Sequence, residues 1–253
     1  MGIQYTGDDD GMKEKNKYLR IILGTCILSL LLNLMMVSQV LSYELVGWEQ
    51  GKTGYELVLL EAEEEEKPVV LYFYLPEECK WCEKMNNEYL ADMEVEEFLS
   101  DIPKAAINPD ENDDDAALAA SFKLTEYPAF FVLIPAYKTE PYRIHPFSKK
   151  GNMTPHEFLN AIKEFIRSQY NKKAFAYFEK KDYQNAIKYF EMTLTYDKDD
   201  AYTYHALGVI YATIGTDRKD KEMLKKAADY FKKALKIDPN LKESAAELKK
   251  LGK

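Results

Sequence analysis

The chain has 253 residues, room for one large or two small domains with additions, and its 46% hydrophobic and 30% charged residues argue against global disorder. A net charge of -9 and a pI near 5.1 argue against a nucleic-acid partner, because phosphate recognition needs a basic face. Of three cysteines, Cys26 lies inside an apolar run, and the remaining two cannot hold an iron–sulfur cluster by themselves.

Residues 1–20 are polar and carry Lys13, Lys15, Lys17 and Arg20. Ile21 to Val40 follows without a charge, about the ~20 residues a helix needs to cross a bilayer, so 21–42 is read as a transmembrane signal anchor. Tyr43 and Trp48 then stand where aromatic residues gather at a membrane interface. With the basic residues on the N-terminal side, the positive-inside rule predicts a cytoplasmic tail and a single pass. It puts all that follows outside the cytoplasm, periplasmic or extracellular. A signal peptide cleaved near Ser42 is the competing reading, against which the apolar core is longer than the ~7–15 residues usual there. Lipidation of Cys26 is rejected, because the apolar core lies mostly after it.

Trp48 to Lys67 reads as an amphipathic segment with Tyr55, Leu57, Leu59 and Leu60 as its apolar set and the acidic run Glu63 to Glu66 as a solvated end. Val69 to Leu75 is a buried strand stopped by Pro76, and a helix is expected over Cys82 to Tyr89. A short helix packed through Val95, Phe98 and Leu99 and a strand over Lys104 to Asn108 come next. The acidic stretch Asp110 to Asp115 invites a calcium reading. Asp115 would fall at the glycine position of an EF-hand loop and Ser121 at its final glutamate, so an acidic loop capping a helix over Ala116 to Phe122 is preferred.

Tyr127-Pro128 precedes the apolar strand Ala129 to Ile134 and is a candidate cis peptide. A last strand is expected within Tyr142 to Phe147. Thr154-Pro155-His156-Glu157 is a helix start with N-cap, N1 proline and N3 glutamate. That helix should run to about Tyr170 with Phe158, Ile162, Phe165 and Ile166 buried.

Between the first strand and its helix stands Cys79-Lys80-Trp81-Cys82. Two thiols three residues apart at a helix start lie within disulfide reach, and a strand running into such a helix is the setting in which the motif signals redox chemistry. A static structural disulfide and a zinc site completed by His145 and His156 are the competing readings. Those histidines are more simply surface residues, on an edge strand and at a helix start, and His205 belongs to a later helix.

The order of elements around this motif resembles the thioredoxin fold, a central mixed sheet flanked by helices, over 43–169. Lys67-Pro68 ahead of the strand resembles extracytoplasmic thioredoxin-like domains more than the cytosolic protein. The resemblance implies a thiol–disulfide oxidoreductase in which Cys79 is the nucleophile and Cys82 resolves. Tyr127 and Pro128 would hold the substrate chain, with Trp81 beside them; no cofactor beyond the redox-active disulfide is implied. The chain departs from the family pattern in carrying Glu78 in place of tryptophan, Lys80-Trp81 in place of Gly-Pro, Phe73 in place of a buried aspartate and Ala129 in place of threonine.

Residues 170–253 are tyrosine- and lysine-rich and helical in pattern. Ala174, Tyr177, Ala186 and Phe190 recur as Gly208, Tyr211, Ala227 and Phe231, the first pair at an interval of 34 and the second at 41, which implies about seven extra residues around Thr216 to Glu222. With Tyr204, Leu207 and Pro239, this resembles two tetratricopeptide repeats, followed by a capping helix over Leu241 to Leu251. Two repeats are fewer than usually stand alone, so they should lean on the preceding domain. Most of the tyrosines (Tyr177, Tyr183, Tyr189, Tyr196, Tyr202, Tyr204, Tyr211, Tyr230) should pack, and a few could line a groove for a protein or peptide.

The reading is a membrane-anchored, extracytoplasmic oxidoreductase acting on protein thiols and disulfides, with an upstream redox partner and a further partner on the repeats. The alternative is a non-enzymatic scaffold or chaperone-like assembly factor of the cell envelope.

Overall fold

The computed structural model describes residues 45–149 and 151–252. The expected tail (1–20), anchor (21–42) and Cys26 lie outside them. Among the described residues, no helix is long and apolar enough to cross a membrane.

Strand β1 (Glu49–Gln50) leads into helix α1 (Gly51–Glu65). Strand β2 (Val69–Phe73) is followed by a short α2 (Lys80–Lys84), a π-helical turn (Met85–Leu90) and α3 (Met93–Ser100). Then come β3 (Lys104–Ile107), α4 (Asp113–Ser121), β4 (Ala129–Leu133), a 3-10 turn (Pro135–Tyr137) and β5 (Tyr142–Ile144). The rest is helical: α5 (Pro155–Glu179), α6 (Tyr183–Tyr196), α7 (Ala201–Arg218), α8 (Lys221–Ile237) and α9 (Lys242–Lys250).

The sheet runs β1-β3-β2-β4-β5, parallel across the first three strands and antiparallel at β4 and β5. Val-Val-Leu-Tyr-Phe and Ala-Phe-Phe-Val-Leu are buried at every position, as central strands covered on both faces require. Phe73, Leu71, Phe131 and Ile107 pack toward Val58 and Ala62 of α1 and Ala119 of α4. On the opposite face Phe130 meets Phe158 of α5, ring centroids 4.8 Å apart.

Helix α1 lies as its pattern only partly indicates. Tyr55 and Leu59 reach the core, whereas Leu57 and Leu60 are exposed and the buried line is Gly54, Val58 and Ala62. Its N-terminus lacks a local side-chain cap. Asp115 supplies one from α4: its Oδ1 accepts from the Lys52 N–H at 2.6 Å, while Lys52 Nζ pairs with Asp114 at 3.2 Å. Gly51 (φ +63°) leaves the room, since a Cβ there would come within 2.8 Å of that carboxylate. The acidic loop therefore caps two helices, α4 through Asn112 and α1 through Asp115.

Helix α5 starts with the expected capping box on Thr154 and Glu157 and buries Phe158, Ile162, Phe165 and Ile166. It does not stop near Tyr170. It continues unbroken to Glu179, so the boundary drawn from sequence at 169/170 falls inside one helix that serves both the sheet and the helical region. Beyond it, α5 pairs with α6 and α7 with α8. Gly208 lies against Phe231, where a Cβ would meet the ring at 2.5 Å, and Ala174 in the preceding pair is fully buried. The extra residues form no loop. They lengthen the end of α7 and the start of α8, and Gly215 packs there against Leu224.

Candidate active site

Cys79 and Cys82 form a disulfide, with Cα atoms 5.2 Å apart. Strand β2 ends at Phe73, and the chain turns through Pro76 and Glu78, which takes a left-handed conformation (φ 55°), to bring Cys79 to the N-cap of α2. A non-glycine residue there costs about 1–2 kcal/mol, and such strain gathers at functional positions. Cys79 Sγ accepts from the Cys82 N–H at 3.2 Å, and Cys82 Sγ accepts from the Leu75 N–H at 3.4 Å. The two sulfurs differ in access: Cys79 is half-buried, whereas Cys82 is only 1% exposed.

Trp81, which stands between the two cysteines in sequence, borders a cleft of about 310 Å³. Trp81, Tyr127 and Pro128 line it together with Arg143, His145 and Phe147, and the Tyr127-Pro128 peptide is cis. Trp81 is 48% exposed and packs on Phe147 at 4.8 Å between ring centroids. Phe147 in turn meets Tyr89, whose hydroxyl donates to the Met153 carbonyl, so the loop after β5 is pinned to the redox helix. Burial pushes the Tyr127 phenol up, with Asp110 adding to the shift. Arg143 leans on Glu126 at 3.4 Å.

The helix N-terminus favours an anionic sulfur at Cys79. Lys84, on the same helix, pairs with Glu88 at 2.8 Å. Lys80, Glu77, Glu78 and Glu83 remain exposed around the motif.

Phe73 points away from the redox helix, into the cluster with Phe122 and Phe131. The residue beneath Cys82 is Tyr72, whose hydroxyl donates to Asn86 Oδ1 at 2.9 Å. Of the histidines in the zinc reading, His145 lines the cleft and His156 stands 3.4 Å from Glu94. No cluster of potential metal ligands occurs among the described residues.

In the helical region most of the tyrosines pack: Tyr177 stacks on Tyr189, Tyr170 on Tyr196 and Tyr211 on Tyr230, and Tyr183 meets Phe178. Tyr202 is 64% and Phe175 50% exposed. His205 bonds Ser244 of α9 at 2.9 Å. Sequence reasoning missed Phe147, Asn86 and Arg143. The aromatic at 147, between Pro146 and Ser148, was the only signal for the first, and Asn86 showed only as a polar residue on a mostly buried turn.

The tetratricopeptide repeat model matches residues 170–200 and 201–241. No curated protein matches the chain. Among solved structures, a DsbH oxidoreductase is similar at 20% identity over 46% of this chain and 81% of that one, with a TM-score of 0.38. A thioredoxin from Thermus thermophilus is similar at 21% identity over 47% and 88%, with a TM-score of 0.37. The oxidised C-terminal domain of Neisseria meningitidis DsbD is similar at 21% identity over 47% and 98%, with a TM-score of 0.38. Sheet order, a disulfide at the first turn of the helix after β2 and a cis-proline ahead of β4 define a thioredoxin fold in this chain. Two tetratricopeptide repeats follow it, the first sharing α5 with that fold.

Proposed function

We propose that the chain catalyses thiol–disulfide exchange on protein substrates through Cys79 and Cys82. The observation that carries the reading is the unequal access of the two sulfurs, Cys79 half-buried two residues before the cleft-lining Trp81 and Cys82 enclosed. An incoming thiolate or disulfide reaches only Cys79, so the mixed disulfide forms there and Cys82 is held back to resolve it. Tyr127, Pro128 and Trp81 line the cleft in which the substrate chain would lie. No cofactor other than the disulfide enters the cycle.

In this reading the protein is anchored by 21–42 with its folded part outside the cytoplasm, where disulfide chemistry has a use. The charge asymmetry around that segment supports the placement. The repeats recruit a protein partner through their exposed side chains, and an upstream redox protein resets the pair.

The test is disulfide reduction or oxidative refolding of a model protein, with Cys79→Ser expected to abolish activity and Cys82→Ser to accumulate covalent mixed disulfides. Equal activity of wild type and Cys79→Ser would sink the enzyme reading. A scaffold without exchange chemistry is the second reading, favoured by exposed Tyr202 and Phe175 on the repeats. It expects loss of both cysteines to be tolerated in cells and loss of 180–252 not to be.

A further inference from the structure

Under the redox helix the fold keeps a polar pair where an apolar one would pack. Tyr72, fully buried next to the end of β2, turns toward the helix while Phe73 turns away. Its ring is held by Trp48, Tyr74 and Phe130 at centroid distances of 5.9, 5.3 and 6.4 Å. Its hydroxyl donates to Asn86 Oδ1 at 2.9 Å and lies 3.4 Å from the Cys82 carbonyl oxygen. Asn86 is 6% exposed and sits at the start of the π-helical turn, where the backbone leaves α-helical register, a feature often found at functional sites. Replacing both members of a buried hydrogen-bonded pair by apolar groups of the same shape can be nearly neutral for stability, so packing does not require this pair.

We propose that Tyr72 and Asn86 are positioning residues for the resolving step, holding the turn that carries Cys82 in line with the Cys79 sulfur. The inference rests on the exchange reading above. In that step the Cys82 thiol gives up its proton, and its sulfur bonds to Cys79 Sγ. The bond from Cys79 to the substrate sulfur breaks, and the substrate leaves as a thiolate that takes up a proton through solvent. The enzyme dithiol loses two electrons and the substrate disulfide gains them. The buried carboxylates among the described residues are engaged elsewhere: Asp115 accepts from the Lys52 N–H, and Asp200 from the Tyr202 N–H and the Thr203 hydroxyl. With no such base at hand, the step depends on alignment and on the Leu75 N–H, which already donates to Cys82 Sγ.

The experiment follows the mixed disulfide between the full chain and a model disulfide protein, by acid quench and mass analysis. Variants are Tyr72→Phe, which removes one oxygen and keeps the ring, Asn86→Leu, and the two combined. Resolution is expected to slow about tenfold in each single variant and no further in the double, because the two act as one unit. The initial attack by Cys79, measured in a Cys82→Ser background, should be unchanged. Resolution of Tyr72→Phe at the wild-type rate overturns the proposal, as does an equal slowing of the initial attack, which would mark a structural role only. Absence of any exchange in the wild type would overturn the exchange reading itself, and this inference with it.

Discussion

Glu66 closes α1 in a left-handed conformation (φ 55°) and ties the sheet to the repeats. Its carboxylate accepts from Lys173 Nζ at 3.0 Å, Lys188 Nζ at 3.2 Å and the Tyr189 hydroxyl at 2.8 Å, and its carbonyl accepts from the Tyr170 hydroxyl at 2.7 Å. Burial opposes ionisation, but the hydrogen bonds from Lys173, Tyr189 and Lys188 outweigh it and hold the carboxyl down to about 2. A folded-state value below the unfolded one contributes stability that is complete above about pH 4.5 and is lost as pH falls toward 2. Glu66→Gln should therefore lower stability at pH 7 by about 1.5–3 kcal/mol, the worth of hydrogen bonds to a charged group. The gap between wild type and variant, read from urea midpoints, should narrow between pH 4.5 and 2.5. A gap independent of pH would contradict the assignment. Nothing local in the acidic run Glu63 to Glu66 marks the last residue as different, because its partners lie more than a hundred positions away.

The elements legible in advance were those written in local chemistry. Cys79 and Cys82 show themselves by spacing, Tyr127-Pro128 by its place before an apolar run, and α5 by the capping residues Thr154 and Glu157. Ends were less legible. Helix α5, expected to run to about Tyr170, goes on to Glu179, because Ala174 and Tyr177 continue it as the first repeat helix. Strand β1 is two residues long and exists only through its pairing with β3, which no pattern within Glu49–Gln50 encodes. The repeat match at Gly208 was legible because close helix packing needs a small residue there. Gly208→Ala should cost about 1–3 kcal/mol through overpacking against Phe231, read from chemical denaturation. A neutral effect would mean that α7 and α8 can move apart freely.

At the scale of the molecule, a shared α5 joins the thioredoxin fold and the repeats in one compact unit from Gly47 onward, which should unfold as one. Lys173 stands over the Tyr137 ring at 3.9 Å, and Tyr137 meets Tyr170 at 5.9 Å, so the seam carries aromatic and cationic packing as well as Glu66. Two repeats fall short of the three or more that usually support one another, and here the sheet domain takes the place of the missing neighbour. A fragment of 180–252 should lack stable helical structure by circular dichroism. In the longer chain, the fluorescence of Trp48 and Trp81, both in the thioredoxin fold, should change at the same urea concentration as the helical signal. Separate transitions would show two independent domains.

Whether Cys79 and Cys82 cycle between dithiol and disulfide as a working couple is read by equilibrating the protein in graded glutathione buffers and counting free thiols by alkylation. One reversible two-electron transition is expected, with a midpoint between about -270 and -120 mV, the range spanned by thioredoxin-like reductants and oxidants, and its loss in Cys79→Ser. A disulfide that stays closed across that range, or opens only when the protein unfolds, would make the pair a structural staple and not an exchange centre.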